Sequence, residues 1–211
     1  MKVLMLNGSS NKKGCTFTAL EEIGKILTEE NIQYEIVNSN VGPGRIRDCN
    51  GCMMCNGVKC VFEDDPVNEF VEKAHKADGF VFGTPVYYAH PTGRILSFLD
   101  RAFFSCCDGL SYKAFAHKPA AAITSARRAG TSASLDVLQK YFTIAQMPVV
   151  SSTYWNMVHG WNRPMSKRPR RTSDHAQSRT QYGLAAQVDR GRKRAGILPP
   201  VQESGNMTNF I

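Results

Sequence analysis

The 211-residue chain has no apolar run approaching the roughly 18 residues of a membrane span. Met1 leads straight into Lys-Val-Leu-Met-Leu with no signal-peptide architecture, so a soluble cytoplasmic protein is expected. A Walker A sequence is missing as well, because Gly14 is followed by Cys15-Thr16 without the lysine, which disfavours NTP hydrolysis. The dinucleotide pattern G-x-G-x-x-G is absent. No Ser, Cys or Asp is visibly paired with His90, and His75 sits among charges, so there is no hydrolase triad signature. The length suits one α/β domain with a real core, which excludes a disulfide-stapled miniprotein and a multidomain assembly.

The seven cysteines are an odd number, and four of them crowd into residues 49 to 60, a distribution that suits a reducing compartment and metal or redox work. The formal net charge of +8 would ordinarily raise nucleic acid or an anionic surface as a partner. Its distribution argues otherwise. Ten of the 26 basic residues and two of the 18 acidic ones fall between Asn162 and Arg194, which leaves 16 of each sign elsewhere. The whole excess belongs to one segment.

Along the chain, Lys2 to Leu6 is an apolar run without alternation, as expected of a strand buried on both faces. A helix follows, with Thr18 and Glu21 as a capping box and Phe17, Leu20, Ile23, Ile26 and Leu27 on one stripe. A second strand is expected at Tyr34 to Val37, then a long Gly- and Cys-rich loop over residues 42 to 60. Pro66 opens a helix that buries Val67, Phe70, Val71 and Ala74. The third strand, Gly79 to Gly83, breaks at Thr84-Pro85 into the loop Val86 to Gly93, and a helix runs from about Arg94 to Phe104. The fourth strand is Ala120 to Thr124, followed by the loop Ser125 to Thr131 and a helix carrying Leu135, Leu138, Phe142 and Ile144. Pro148 to Ser151 makes the fifth strand.

Strands alternating with helices form a parallel sheet with right-handed crossovers, and five of them so spaced predict an α/β fold of the flavodoxin-like, doubly wound kind, strand order 2-1-3-4-5. Ligands in such sheets bind outside the carboxyl ends of the strands, where the strand order reverses. That places the site on the loops after strands one, three and four. In the first loop, backbone amides at the helix N-terminus and the hydroxyls of Ser9, Ser10 and Thr16 can cradle a phosphate. The second loop offers Pro85, Tyr87, Tyr88, His90 and Gly93, aromatic side chains that can flank a flat heterocycle or simply cover the sheet edge. The third offers Arg127 and Arg128, suited to an anionic reduced ring or a nicotinamide donor's phosphate, or else merely solvated. Together they converge on one planar phosphorylated cofactor.

Residues 1 to 160 resemble the flavodoxin-like NADPH-dependent FMN reductases, including their iron-sulfur flavoprotein branch. The resemblance rests on N-G-S-S-N-K-K-G-C-T at 7 to 16, G-T-P-V-Y-Y-A at 83 to 89, F-L-D-R at 98 to 101 and S-A-R-R-A-G-T at 125 to 131. It implies FMN, with the phosphate at Ser9, Ser10, Asn11 and Thr16 and the ring among Pro85, Val86, Tyr87, Tyr88, Ala126, Arg127, Arg128 and Gly130. It also implies a homo-oligomer, a homodimer or homotetramer, in which a neighbouring subunit helps to close the flavin site. No catalytic residue beyond the flavin is required, because the cofactor accepts the hydride while the protein orients it.

The cysteines are spaced Cys49-x2-Cys52-x2-Cys55-x4-Cys60, close to the compact cluster-binding run of ferredoxins, although that run spaces its fourth Cys by three and follows it with Pro. The iron-sulfur flavoproteins similarly carry a compact four-Cys motif, which favours a 4Fe-4S cluster. A redox-inert Cys-rich loop is the second reading and zinc the third, since four thiolates also satisfy a tetrahedral site but zinc ribbons usually split their ligands into two separated pairs. Cys15, Cys106 and Cys107 show no spacing logic.

Residues 161 to 211 form a basic segment, expected to be disordered, where the family's last helix should be; that helix is missing or disrupted. A shifted reading frame over residues 162 to 194 would account for a loss of apolar pattern that recovers at Ala195-Gly196-Ile197 and at Thr208 to Ile211. With suitably chosen codons for Asp174 to Lys193, the frame one base later encodes an amphipathic helix, and the gene sequence tests this. The expected function is an FMN-dependent oxidoreductase that passes electrons from NAD(P)H or a redox protein such as ferredoxin to a small acceptor: a quinone, flavin or oxygen. A non-catalytic electron carrier is the second reading, and a basic-tailed nucleic-acid binder the third and least favoured.

Overall fold

The computed structural model describes residues 1–40, 46–108, 111–152, 154–159, 188 and 191–198. Strand β1 (Lys2–Asn7) is buried from Val3 onward, as its unbroken apolar run requires. Helix α1 (Cys15–Glu29), strand β2 (Gln33–Asn38), helix α2 (Val67–Lys76) and strand β3 (Gly79–Tyr87) follow. A two-residue strand β4 (His90–Pro91) folds back antiparallel on β3 and leads into α3 (Gly93–Ser105). The small antiparallel pair β5 (Cys107–Asp108) and β6 (Ser111–Tyr112) stands apart from the main sheet. Strand β7 (Ala120–Ala126), helix α4 (Thr131–Ile144) and strand β8 (Met157–His159) complete the described elements.

The main sheet runs β2-β1-β3-β7-β8, every neighbouring pair parallel. This is the expected flavodoxin-like order. Alternate residues of the strands serve two cores, as the period of two demands. Leu4, Leu6, Phe80, Phe82 and Ala122 pack with the apolar faces of α2, α3 and α4. Val3, Met5, Val81, Ala121 and Ile123 pack with Ala19, Leu20, Ile23 and Leu27 of α1. Phe82 centres the first core, its ring 6.3 Å from that of Phe70 and 5.2 Å from that of Phe142.

Three expectations change. Helix α1 begins at Cys15, not at a Thr18 cap: Gly14 is its N-cap, and Thr18 lies inside the helix, its N–H and hydroxyl both donating to the Gly14 carbonyl at 3.0 and 3.2 Å. Strand β3 does not break at Thr84-Pro85 but continues to Tyr87, because β7 pairs with it as far as Pro85 and β4 folds back on Val86 and Tyr87. The fifth position of the sheet is shared: Val149 makes a single bridge to Ala120 at the start of β7, and β8 pairs with its end, from Thr124 to Ala126. Pro148 to Ser151 is thus an attachment point, and Met157–His159 is the strand.

Of the basic tract, Val188 and residues 191–194 are helical, with Ala195 N–H donating to the Gly191 carbonyl at 2.9 Å and Lys193 Nζ 3.0 Å from Asp78. The rest of residues 162–194, and with it the expected division of the chain near residue 160, lies outside the described residues. Among the described residues no helix is long and apolar enough to cross a membrane.

Candidate functional site

Because β1, β3 and β7 are parallel neighbours, the segments that follow them emerge on one edge of the sheet, and side chains fasten them together. Gly8 N–H donates to the Gly83 carbonyl at 2.7 Å, and the Thr92 hydroxyl donates to the Gly8 carbonyl at 3.0 Å while accepting from Ile95 N–H. A side chain at position 8 would come within 2.7 Å of Ile95, so only glycine allows this approach of β1 to α3. Ser10 Oγ lies 2.8 Å from the Tyr87 hydroxyl, which ties the first loop to the second. Thr16 Oγ1 lies 2.7 Å from Ser125 Oγ, which ties the first turn of α1, just after the first loop, to the end of β7.

The third loop closes against the second. Gly130 has φ +90, and a Cβ there would sit 2.8 Å from the Ala89 Cα and carbonyl oxygen and from Val86 Cγ1. The loops of residues 86–89 and 127–130 are therefore in direct contact. Between β3 and β4, Tyr88 and Ala89 take φ of 49 and 65, the pair of left-handed residues that a tight hairpin turn needs and that Asn-Gly usually supplies. Tyr88 accepts this conformation with its ring fully exposed, and Tyr87 beside it is half exposed. Such residues cost on the order of 1–3 kcal/mol each and cluster at ligand clamps.

The expected phosphate residues divide by burial. Ser9 and Thr16 are buried, whereas Ser10 and Asn11 are exposed. Ser9 Oγ accepts from Asn11 N–H at 3.1 Å, and Asn11 Oδ1 accepts from Lys13 N–H at 3.1 Å, which curls the loop ahead of α1. No side chain caps α1. Its N-terminus therefore faces this loop with backbone donors suited to an anion. Pro85, Val86 and Ala126 lie at the strand ends, and Arg127 and Arg128 are exposed beyond β7. All twelve expected residues thus lie on the carboxyl edge.

The cysteine loop leaves the same edge after β2. Residues 46–60 form no helix or strand, and Gly51, Met53 and Gly57 take φ between 56 and 75. Cys49, Cys52, Cys55 and Cys60 line one pocket together with Phe62, Arg101 and Phe104. Burial, and after it the nearby Cys60, Cys52 and Cys49, push the Cys55 thiol up to about 11, so the other three sulfurs lie within electrostatic reach of Cys55. Among the described residues no three His, Cys, Asp or Glu side chains are grouped tightly enough to hold a metal ion. Cys106 is buried, and Cys15 and Cys107 are half buried, outside this pocket.

Cys60 is the buried member of the four. The Asn68 amide brackets it, accepting from Cys60 N–H at 2.9 Å and donating to its carbonyl at 2.9 Å. Arg101 Nε donates to Cys60 Sγ at 3.3 Å, and Arg101 also pairs with the buried Asp65 carboxylate. Burial opposes the Arg101 charge, but Asp65 and Cys60 more than offset it and hold the guanidinium firmly protonated. Asn68 and Asp65 belong to no motif of the sequence, and Ser125 and Arg101 occur only within S-A-R-R-A-G-T and F-L-D-R. The available signal was a charge on an apolar stripe: Arg101 lies between Phe98 and Ala102, both buried.

The family model described as NADPH-dependent FMN reductase matches residues 1–162. An iron-sulfur flavoprotein of Archaeoglobus fulgidus is 34% identical over 102 residues, 48% of this chain and 49% of that protein, so this match spans about half of the relative's length. An iron-sulfur flavoprotein of Methanocaldococcus jannaschii is 29% identical over 156 residues, 71% of this chain and 76% of that protein. Among solved structures, the apo form of an NADH:FMN oxidoreductase superposes with a TM-score of 0.63 at 19% identity, covering 87% of this chain and 89% of that one. An archaeal flavodoxin gives a TM-score of 0.55 at 12% identity, covering 90% and 99%. These likenesses share the fold, and the family match spans every loop of the carboxyl edge described above: the chain belongs to the NADPH-dependent FMN reductase family.

Proposed function

We propose that the protein is an FMN-dependent oxidoreductase that takes electrons from NAD(P)H, or from a redox protein such as ferredoxin, and delivers them to a small acceptor such as a quinone, free flavin or oxygen. The observation that carries this reading is the fastening of three carboxyl-edge loops into one site through Ser10 with Tyr87, Thr16 with Ser125, and Gly130 against Ala89. When bound, FMN supplies a ring that accepts a hydride and releases electrons singly or in pairs. The chain supplies position and charge.

In this reading the backbone donors at the start of α1, with Ser9, Ser10 and Asn11, hold the phosphate, while Thr16 anchors that loop to β7. Tyr87 and Tyr88 flank the ring, with Pro85, Val86 and Ala126 forming its floor. Arg127, Arg128 and the Gly130 turn border the ring where negative charge develops on reduction, which positive side chains stabilise. Tyr88, fully exposed, is available to a second copy of the chain, in line with a homodimer or homotetramer that closes the site.

The cysteine pocket fits an iron-sulfur centre by its donor set: four thiols and a buried guanidinium on one of them. Cys49, Cys52, Cys55 and Cys60 would hold a 4Fe-4S cluster, which adds one-electron transfer to the flavin's chemistry. The names of the iron-sulfur flavoprotein relatives support this assignment.

An absorption spectrum of anaerobically purified protein, with iron and acid-labile sulfide analysis, tests both centres. Flavin bands with iron and sulfide support the full reading; flavin without iron removes the cluster, and zinc in its place reassigns the cysteines. Steady-state NAD(P)H oxidation then tests catalysis. Flavin-loaded protein that turns over with no acceptor would be an electron carrier instead.

A further inference from the structure

Arg101 is the largest fully buried side chain among the described residues, and the flavin loops do not use it. A buried cation on a helix stripe otherwise made of Ile95, Phe98, Leu99 and Ala102 is a poor choice for packing alone, since an apolar residue avoids its desolvation. Its guanidinium's hydrogen bonds all go to the cysteine loop or its continuation into α2. Nε donates to Cys60 Sγ at 3.3 Å, Nη2 to the Phe62 carbonyl at 3.1 Å, and Nη1 to the Arg47 carbonyl at 3.4 Å and to Asp65. The Phe62 ring covers it, 5.3 Å from centroid to Cζ. The planar fork thus grips the loop on both sides of the four cysteines, which a lysine ammonium cannot reproduce.

We propose that Arg101 is a positioning residue for the metal centre at the four cysteines: it fixes Cys60 as the preformed ligand and holds the reduction potential of that centre up. This rests on the iron-sulfur reading above. Cys49 and Cys52 are exposed, whereas Cys60 is buried and held at its amide, its carbonyl and its sulfur. An N–H donated to a ligating sulfur, and a positive charge beside it, stabilise the centre more after it gains an electron than before, which raises its potential. Asp65 does not cancel the effect, because it bonds Nη1 while Nε faces the sulfur, so the pair presents its positive end to Cys60. The same helix that carries Arg101 starts at Thr92, bonded to Gly8 of the first flavin loop. Nine residues of helix, about 14 Å, separate Thr92 from Arg101.

The test uses the full chain, reconstituted anaerobically with iron and sulfide, as wild type, as Arg101→Lys, and as the paired change Arg101→Gln with Asp65→Asn, which leaves no buried charge alone. Iron and sulfide content is measured, and the midpoint potential of the cluster is read by redox titration followed by electron paramagnetic resonance. The expected result is a more negative midpoint in the paired variant, with Arg101→Lys falling between it and wild type. A paired variant that keeps its iron and the wild-type midpoint overturns the proposal. Should the paired variant fail to fold, an iron-loaded Arg101→Lys protein with the wild-type midpoint overturns it equally. Wild-type protein that binds no iron overturns the proposal together with the cluster reading, and so is distinguishable from a failure of Arg101 alone.

Discussion

The hydroxyl of Ser10 lies 2.8 Å from that of Tyr87, although 77 positions separate them, and the bond joins the loop suited to a phosphate to the loop suited to a ring. Both residues are exposed, so the bond matters more for the shape of the site than for stability. Tyr87→Phe is expected to weaken FMN binding by roughly 3- to 10-fold, the equivalent of one ordinary hydrogen bond, with little change in melting temperature. Titration of apoprotein with FMN, followed by quenching of flavin fluorescence, measures it.

The buried counterpart of that bond is Thr16 with Ser125, 2.7 Å apart. Thr16→Val leaves the Ser125 hydroxyl without this partner and is expected to destabilise the fold by about 1–3 kcal/mol. Ser125→Ala made in the same chain should recover part of the loss. A double-mutant cycle in urea checks this: additive effects would show that the two hydroxyls are not coupled.

Gly130 admits no side chain, because its φ of +90 is left-handed and a Cβ there would lie 2.8 Å from Ala89. Gly130→Ala is expected to destabilise by roughly 2–4 kcal/mol through backbone strain and the displaced hairpin. FMN affinity should fall with it, because the hairpin that moves carries Tyr87 and Tyr88. Denaturation midpoints and flavin content of the purified variant report the two effects.

Glu35 on β2 is held below the usual carboxylate range, first by its hydrogen bond to Lys2 and then by that to Lys73. A carboxylate whose folded value is depressed stabilises the protein above its unfolded value, near 4.5, and loses that contribution as pH falls through the folded value. Wild-type stability should therefore decline below about pH 5 more steeply than that of Glu35→Gln. Urea midpoints across pH 3 to 7 give the comparison, and parallel curves would remove Glu35 from the explanation.

The metal assignment has its own check in the pocket. Cys60→Ser should lower iron content more than Cys49→Ser, because Cys60 is the cysteine already held in place, by Asn68 and Arg101, while Cys49 is exposed. Equal losses for the two variants would mean that preorganisation of Cys60 contributes nothing.

Apolar runs and their spacing were enough to read the order of the parallel sheet and the edge on which its loops gather. Val3 to Leu6 and Ala120 to Ile123 are buried on both faces, and an uninterrupted run of apolar residues has no other comfortable place. The four cysteines were legible for a different reason: their spacing is local, and local spacing survives in the fold as one pocket. The start of α1 misled, because Thr18 and Glu21 match a capping box while Gly14, one turn earlier, begins the helix without a side-chain cap. The last strand misled as well, since three residues, Met157–His159, are too few to carry a period.

What the sequence alone determined was thus the architecture and the set of loops that can hold a ligand, because burial imprints its period on neighbouring residues. Tertiary structure alone decided which of those residues meet. Ser10 finds Tyr87, Thr16 finds Ser125 across 109 positions, and Arg101 finds Cys60 across 41. A hydroxyl or a guanidinium leaves no periodic trace of its partner. Only the crossing of strands and helices brings such groups within bonding distance, and that crossing is a property of the whole chain.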